Sequence, residues 1–195
     1  SRRAADGDEH HRHFRVVCDE FFDRMALTDG AFRFMQDHPG DTCELRIGAY
    51  YFAAQMLERE EADLSIAFLE QEPARDRIDG RIIGKDSLDL VISRQLIDAD
   101  RRTDILHAAA RLPLLLPERD TRLLNMAMRV CGELEISPAV SFGQTAADVV
   151  MEVELGGAFT MLPHRFAQRY ENRALVRLPL CGESGAQLVY GAYWL

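Results

Sequence analysis

Several features are scarce in this 195-residue sequence, and each scarcity excludes a class of protein. No apolar run approaches the ~20 residues of a bilayer-spanning helix; the longest, such as Leu114–Leu116, are a few residues long. The opening Ser1-Arg2-Arg3-Ala4-Ala5-Asp6-Gly7-Asp8-Glu9 lacks the apolar stretch of a secretory signal, so a cytoplasmic location and no membrane partner are expected. Only four cysteines occur, at 18, 43, 131 and 181, and none forms a Cys-x-x-Cys pair. A structural zinc site is therefore not expected. Neither is a disulfide framework, because a chain of this length buries its own core; reduced, mostly buried thiols are expected instead. Basic residues are outnumbered, 23 against 32 acidic, giving a net charge of −9 and a pI near 5.1. That balance argues against this chain holding nucleic acid by itself, since phosphate binding needs clustered Lys and Arg. There is no Gly-x-Ser-x-Gly elbow, no Walker-type phosphate loop and no His-Glu-x-x-His pair. No enzymatic activity, cofactor or metal is expected.

What is present is a 47% hydrophobic share, enough for a real core. Residues 1–13 are polar, with His10, His11 and His13 clustered; they read as a solvated linker, because no carboxylate or cysteine stands at a ligand spacing. His13 to Cys18 is short and β-branched, a strand. Phe21 to Gln36 carries Phe21, Met25, Phe32 and Met35 at helical spacing, with Gly30 as a weak point and Pro39-Gly40 as the stop. Cys43 to Ala49 alternates as a second strand; Phe52 to Glu60 is a helix; Ala62 to Phe68 is a third strand with Leu64, Ile66 and Phe68 on one face. The first ~70 residues thus read β-α-β-α-β, which predicts parallel strands covered by helices. Leu88 to Ser93 is nearly continuous in apolar residues, as in a strand buried on both faces.

A second set follows: a short helix at Ile105–Leu112, a strand at Pro113–Leu116, and a helix capped by Asp120 or Thr121 that runs to Cys131. Next come a strand at Pro138–Phe142 and the capping-box sequence Thr145-Ala146-Ala147-Asp148 before a helix of Ala146, Val149, Val150 and Val153. Gly156-Gly157 ends it, and Ala158–Leu162, His164–Tyr170, Leu175–Leu180 and Gln187–Trp194 complete the chain as strand, helix, strand and strand. No Pro- or Ser-rich linker separates the halves. The expected joints are extended passes near Lys85–Ser93 and Ala186–Gly191, which makes a hinged clamshell whose cleft is a natural ligand site.

The segments His38-Pro39-Gly40, Glu44-Leu45-Arg46-Ile47-Gly48 and Met56-Leu57-Glu58-Arg59-Glu60-Glu61-Ala62-Asp63-Leu64-Ser65-Ile66-Ala67 together resemble the LysR-type transcriptional regulators. Arg122 before an amphipathic helix ending at Cys131-Gly132, and Leu155-Gly156-Gly157-Ala158-Phe159-Thr160-Met161-Leu162-Pro163, fit the same family in order. The resemblance implies an α/β fold of two Rossmann-like lobes joined by two crossover strands, periplasmic-binding-protein type 2-like. It places a linker remnant at 1–13, lobe I at 14–86 plus 187–195, and lobe II at 87–186, with a small-molecule effector between them. It implies a homodimer or homotetramer, and DNA contact only through a helix-turn-helix that these residues do not contain. It also leads one to expect a final helix beyond Tyr193-Trp194-Leu195.

Ligands of parallel α/β sheets sit beyond the carboxyl ends of the strands. The candidates are therefore Cys18, Asp19, Glu20 and Phe21 after the first strand, Ala49 and Tyr50 after the second, and Phe68 and Leu69 after the third. From the second half come Pro117 and Glu118, the run Phe142, Gly143, Gln144 and Thr145, and Pro163, with Ser93 and Arg94 where the chain crosses. Thr145 is a helix cap whose neighbouring N–H groups could also receive an anion. Phe68 and Phe142 are core residues or walls of an aromatic-accepting pocket. Asp19 and Glu20 are solvated, or paired with Arg94 or Arg119, or face the cleft; in the last case they favour a neutral or cationic effector. Cys18 beside two carboxylates is a poor thiolate. Two other uses of the same clamshell are a solute-binding protein of a transporter and a domain kept only for protein interaction.

Overall fold

The structure, a computed structural model, describes residues 11–22, 24–48, 55–69, 78–117, 121–170 and 174–195. Strand β1 (His13–Asp19) lies between β2 (Thr42–Gly48) and β3 (Leu64–Leu69), parallel to both, with Val16 opposite Leu45 and Leu64. The connection from β1 to β2 is α1 (Arg24–Asp37), so this is the expected parallel β-α-β start. Helix is also present at 55–58, while 52–54 of the expected second helix fall outside the described residues.

The chain then enters β4 (Asp79–Ser93), which changes partners midway. Asp79 to Ser87 pairs antiparallel with β9 (Gln187–Trp194), and β9 in turn pairs with β3. Leu88 to Ser93 pairs instead with β7 (Thr160–Pro163) on one side and β8 (Leu175–Pro179) on the other. A register shift between Ile82 and Gly84 bends the strand before this change. β5 (Leu114–Pro117) and β6 (Val140–Gly143) form a parallel pair, and a bridge from Leu114 to Phe159 joins them to the start of β7. The result is the expected two-lobed α/β fold, with β4 as one crossover and the entry to β9 as the other.

The second lobe holds the larger core. Leu88, Leu90 and Ile92 are fully buried on β4, as their nearly continuous apolar run required. Against that sheet pack α2 (Arg102–Ala109), α3 (Thr121–Glu133) and α4 (Ala146–Glu154). α3 buries Leu123, Met126, Ala127, Val130 and Cys131, one helical stripe; α4 buries Ala146, Val149, Val150 and Val153. The capping box forms: the Thr145 hydroxyl accepts the Asp148 N–H at 3.1 Å, and the Asp148 carboxylate accepts the Thr145 N–H at 3.2 Å. Past the end of α4, Gly156 takes a φ of +88°, a conformation that suits glycine. A short α5 (His164–Ala167) follows β7.

Two expectations change. The first helix begins at Arg24, not Phe21, because Phe21 is held in a turn: its N–H donates to the Asp19 carboxylate at 3.0 Å, and the Phe22 N–H donates to the Asp19 carbonyl at 3.1 Å. The expected apolar stripe is thereby split. Phe21 is fully buried, whereas Met25 and Phe32 are 78% and 57% exposed, and no α1 side chain is fully buried. The second change is the length of β4, whose first half was hidden by Gly80, Gly84 and four charged residues between Asp79 and Asp86.

Thr145→Ala removes the acceptor for the Asp148 N–H and is expected to lower the unfolding free energy by about 1 kcal/mol, read from urea denaturation. An unchanged midpoint would show that the cap contributes nothing.

Candidate functional site

The strand ends of the two lobes meet around one buried ion pair. Asp19, the last residue of β1, is almost wholly buried. Its Oδ1 accepts the Phe21 N–H, and its Oδ2 accepts the Arg122 Nη2–H at 2.8 Å. Arg122 is in the first turn of α3 and reaches across from the second lobe to the first. Its Nη1 donates to the Phe68 carbonyl on β3, and its guanidinium carbon sits 3.9 Å from the centre of the Phe68 ring. One side chain therefore engages the ends of β1 and β3 through charge, hydrogen bonds and a cation–π contact.

Aromatic rings pack beside the pair. Phe21 meets Phe68 at 5.6 Å and Phe166 of α5 at 5.1 Å between ring centres, both edge-on. The Tyr190 hydroxyl on β9 donates to the Phe21 carbonyl at 3.2 Å, and Arg169 Nη2 donates to the Phe22 carbonyl at 2.8 Å. Phe21–Phe166, Arg122–Asp19 and Arg169–Phe22 all link the first lobe to the second.

A second buried carboxylate stands close to the partner change of β4. Asp89 is fully buried and receives His164 Nδ1 at 2.9 Å and Arg177 Nη1 at 2.7 Å. Asp86, on the other side of the crossing, accepts the Arg165 N–H at 3.2 Å. Burial pushes the Asp86 carboxyl above its usual range, an effect that hydrogen bonds from the Ser87 and Arg165 N–H groups oppose. The positions of Asp89, His164 and Arg177 in this cluster are not evident from the sequence.

Of the residues expected at a ligand site, Asp19, Phe21 and Phe68 come together here, with Glu20 half-buried beside them; Cys18 packs instead with Val16 and Ile66 of the first lobe. Leu69 lies opposite Val189. Pro117 and Gly143 pair at the ends of β5 and β6, and Pro163 ends β7 opposite Leu88, on the edge where β4 changes partners. Ala49, Tyr50 and Glu118 lie outside the described residues. Phe142 is half exposed on β6 and belongs to neither core nor junction; Gln144 is exposed. Gly143 is a packing glycine, since a Cβ there would meet a Val149 methyl at 2.9 Å. Thr145 is committed to its capping box.

Ser93 and Arg94 are corrected. They lie at the end of β4 remote from the crossing, which falls at Ser87–Leu88. The Ser93 hydroxyl donates to the Glu154 carbonyl at 3.0 Å, and Arg94 pairs with Asp100 at 2.6 Å. Arg94 is thus not the partner of Asp19; Arg122 is. Arg122, Phe166 and Tyr190, which complete this cluster, were not among the expected residues. A signal existed for Arg122: a cation in a helix's first turn opposes the helix dipole, and this one falls on the same stripe as Met126 and Val130.

Cys18 is deeply buried, and its thiol pKa is pushed up to about 12, first by burial and then by the Asp19 charge. Cys131 rises to about 11 through burial. These thiols stay protonated at neutral pH.

Arg122→Met strips the guanidinium from a buried carboxylate and is expected to cost about 3–5 kcal/mol in urea denaturation, most of it recovered in Asp19→Asn/Arg122→Met. Equal losses in the single and double variants would contradict the pairing. The thiols set a pH dependence as well. An unfolded chain releases thiol protons near pH 9.0, while the folded one retains them toward about 11 and 12, so stability falls as pH rises through that window. Denaturation midpoints unchanged between pH 8 and pH 10.5 would contradict this.

The sequence profile of the LysR substrate binding domain matches residues 7–195. No curated protein matches the chain. Among solved structures, the reduced regulatory domain of OxyR2 from Vibrio vulnificus is 23% identical, with a TM-score of 0.72 over 98% of this chain and 90% of that one. HinK, a LysR family transcriptional regulator from Pseudomonas aeruginosa, is 18% identical with a TM-score of 0.69, covering 98% of this chain and 65% of HinK. Full-length CbnR, solved in complex with its target DNA, is 14% identical with a TM-score of 0.71 over 96% of this chain and 64% of that one. At these identities the solved structures speak for the fold, and the profile, matched along nearly the whole length, carries the assignment: the chain belongs to the LysR substrate binding domain family.

Proposed function

We propose that this chain is the effector-sensing part of a LysR-type transcriptional regulator, in which a small molecule acts at the junction of the two lobes. The profile match over residues 7–195 carries this reading. The lobes are assigned as 14–86 plus 187–195 and 87–186, after a linker at 1–13; the partner change of β4 at Ser87–Leu88 supports that division.

The site proposed comprises Asp19, Phe21, Phe68, Pro117 and Pro163 from the sequence reading, together with Arg122 and Phe166. Phe21 and Phe68 are fully buried in the structure, so an effector enters as the lobes part and Arg122 exchanges contacts. Such a ligand shifts the lobes only by the difference in its affinity for the two arrangements. Because the Asp19 charge is matched by Arg122 and flanked by three aromatic rings, the junction favours a neutral or cationic aromatic effector over a simple carboxylate.

Association as a homodimer or homotetramer is part of the proposal. Met25 and Phe32 of α1 and Ile47 of β2 are exposed apolar side chains on the first lobe, and an apolar surface of this kind suits contact between copies. DNA contact is assigned to a helix-turn-helix outside these residues, and a cytoplasmic location follows from that role. No described helix is long and apolar enough to cross a membrane.

Thermal melts of the 195-residue chain with panels of aromatic amines, neutral aromatics and aromatic carboxylates test the junction. At 100 times its Kd, an effector raises the unfolding free energy by about 2.7 kcal/mol. The rise is expected from an amine or from a neutral aromatic bearing a polar group, and is expected to vanish in Arg122→Met. A rise that persists in both Arg122→Met and Phe166→Ala would move the ligand away from the junction, and tight binding of a simple carboxylate would overturn the effector class.

A further inference from the structure

The first lobe contains a cavity of about 370 Å³ between α1 and the sheet. It is walled on the helix side by Leu27, Gly30, Ala31 and Phe34 and on the sheet side by residues that include Cys43 and Ile66, reaches Phe22 at its junction end, and opens to solvent past the exposed Ala26 and Gly30. We propose that this cavity is a second ligand site, which takes a small uncharged hydrocarbon-like molecule, of about two aromatic rings, independently of the junction.

Three observations carry the proposal. The first is volume. An apolar cavity of ~150 Å³ already accepts benzene, and this one is more than twice that size.

The second is wall chemistry. The lining side chains are apolar apart from the Cys43 thiol. Ordered water needs two to four polar partners, and these walls do not supply them. A carboxylate or ammonium seated against these walls would shed part of its hydration and gain no polar partner. The charged side chains of this stretch of α1 point elsewhere: Asp29 and Arg33 pair with each other at 3.0 Å on the exposed side of the helix.

The third is how the room is kept. Helix faces that pack on sheets usually present large aliphatic side chains, yet α1 presents Ala26, Gly30 and Ala31 among its cavity-facing positions. Gly30 sits in the interior of a 14-residue helix, where glycine is unfavourable. A Cβ built on it would meet nothing within 4 Å. The glycine is thus explained neither by backbone conformation nor by close packing; its effect is open space. The same vacancy explains why α1 buries no side chain fully although it lies over the sheet.

The test uses the 195-residue chain with naphthalene as probe and 2-naphthoate as its charged counterpart. Naphthalene is expected to raise the melting temperature, and 2-naphthoate is not. Gly30→Leu puts a side chain into the space, so it is expected to melt no lower than the natural protein and to lose the naphthalene response. Arg122→Met is expected to keep that response, which separates this site from the junction: loss in Arg122→Met with retention in Gly30→Leu would overturn the second site and leave the junction reading standing. Alkylation by iodoacetamide gives a readout without substitution. Cys43 lines the cavity and Cys181 is exposed. Naphthalene at about ten times its Kd is expected to slow modification of Cys43 about tenfold while Cys181 reacts as before. Equal rates at Cys43 with and without naphthalene would overturn the proposal. Light scattering closes off the remaining occupant: if Gly30→Leu converts an oligomer to a monomer, and naphthalene leaves Cys43 unprotected, the cavity belongs to a second copy of the chain.

Discussion

Two charges taken out of water, Asp19 at the end of β1 and Arg122 in the first turn of α3, tie the lobes together. A buried ion pair gives little net stability compared with well-packed apolar groups, because desolvation consumes most of the attraction. It is far stronger as a constraint. Neither charge tolerates loss of the other, so only those lobe positions that keep them in contact are inexpensive. Arg122 adds a second condition by donating to the Phe68 carbonyl and lying over the Phe68 ring, which fixes its height above the sheet as well as its partner. The aromatic contacts of Phe21, Phe68, Phe166 and Tyr190 then close around a geometry already chosen.

The packing is uneven between the two lobes. The second lobe has one continuous core, built on the buried half of β4 and the apolar stripes of α3 and α4. In the first lobe the remaining apolar residues form two small clusters, one around Val17, Leu57 and Tyr193 and another around Val16, Cys18 and Ile66. Phe21, Phe68 and Tyr190, which belong to the first lobe by strand pairing, join the second lobe's core instead. The first lobe is therefore held partly by the second, and an event at the junction changes the support of the sheet on which α1 rests. That dependence gives a physical route from the junction to the outer helix of the first lobe.

Much of this was legible in advance. The parallel start, the capping box at Thr145 and the buried run Leu88–Ile92 each follow from local rules: strand alternation, a side chain matched to a helix end, and an apolar segment too short for a buried helix. The strand-end rule also picked out Asp19, Phe21 and Phe68, which the structure brings together. The pass expected at Lys85–Ser93 contains the partner change at Ser87–Leu88, but Ser93 and Arg94 lie at and beyond its far end, away from that change. The half of β4 before it is polar and glycine-containing, and only its pairing with β9 makes it a strand. Apolar spacing likewise misjudged α1, since periodicity tells which residues share a face and not whether that face meets a neighbour.

Local preferences and the order of apolar segments are properties of neighbouring residues, so the sequence alone determined the element types, the two-lobed α/β class and the family to which the motifs belong. Partnership between distant charges is not such a property. Asp19 and Arg122 are 103 positions apart, and Asp89 lies 75 from His164 and 88 from Arg177. Nothing in their immediate neighbours distinguishes a buried pair from two solvated charges. Only the pairing of β4 with strands of both lobes brings these groups within hydrogen-bond reach.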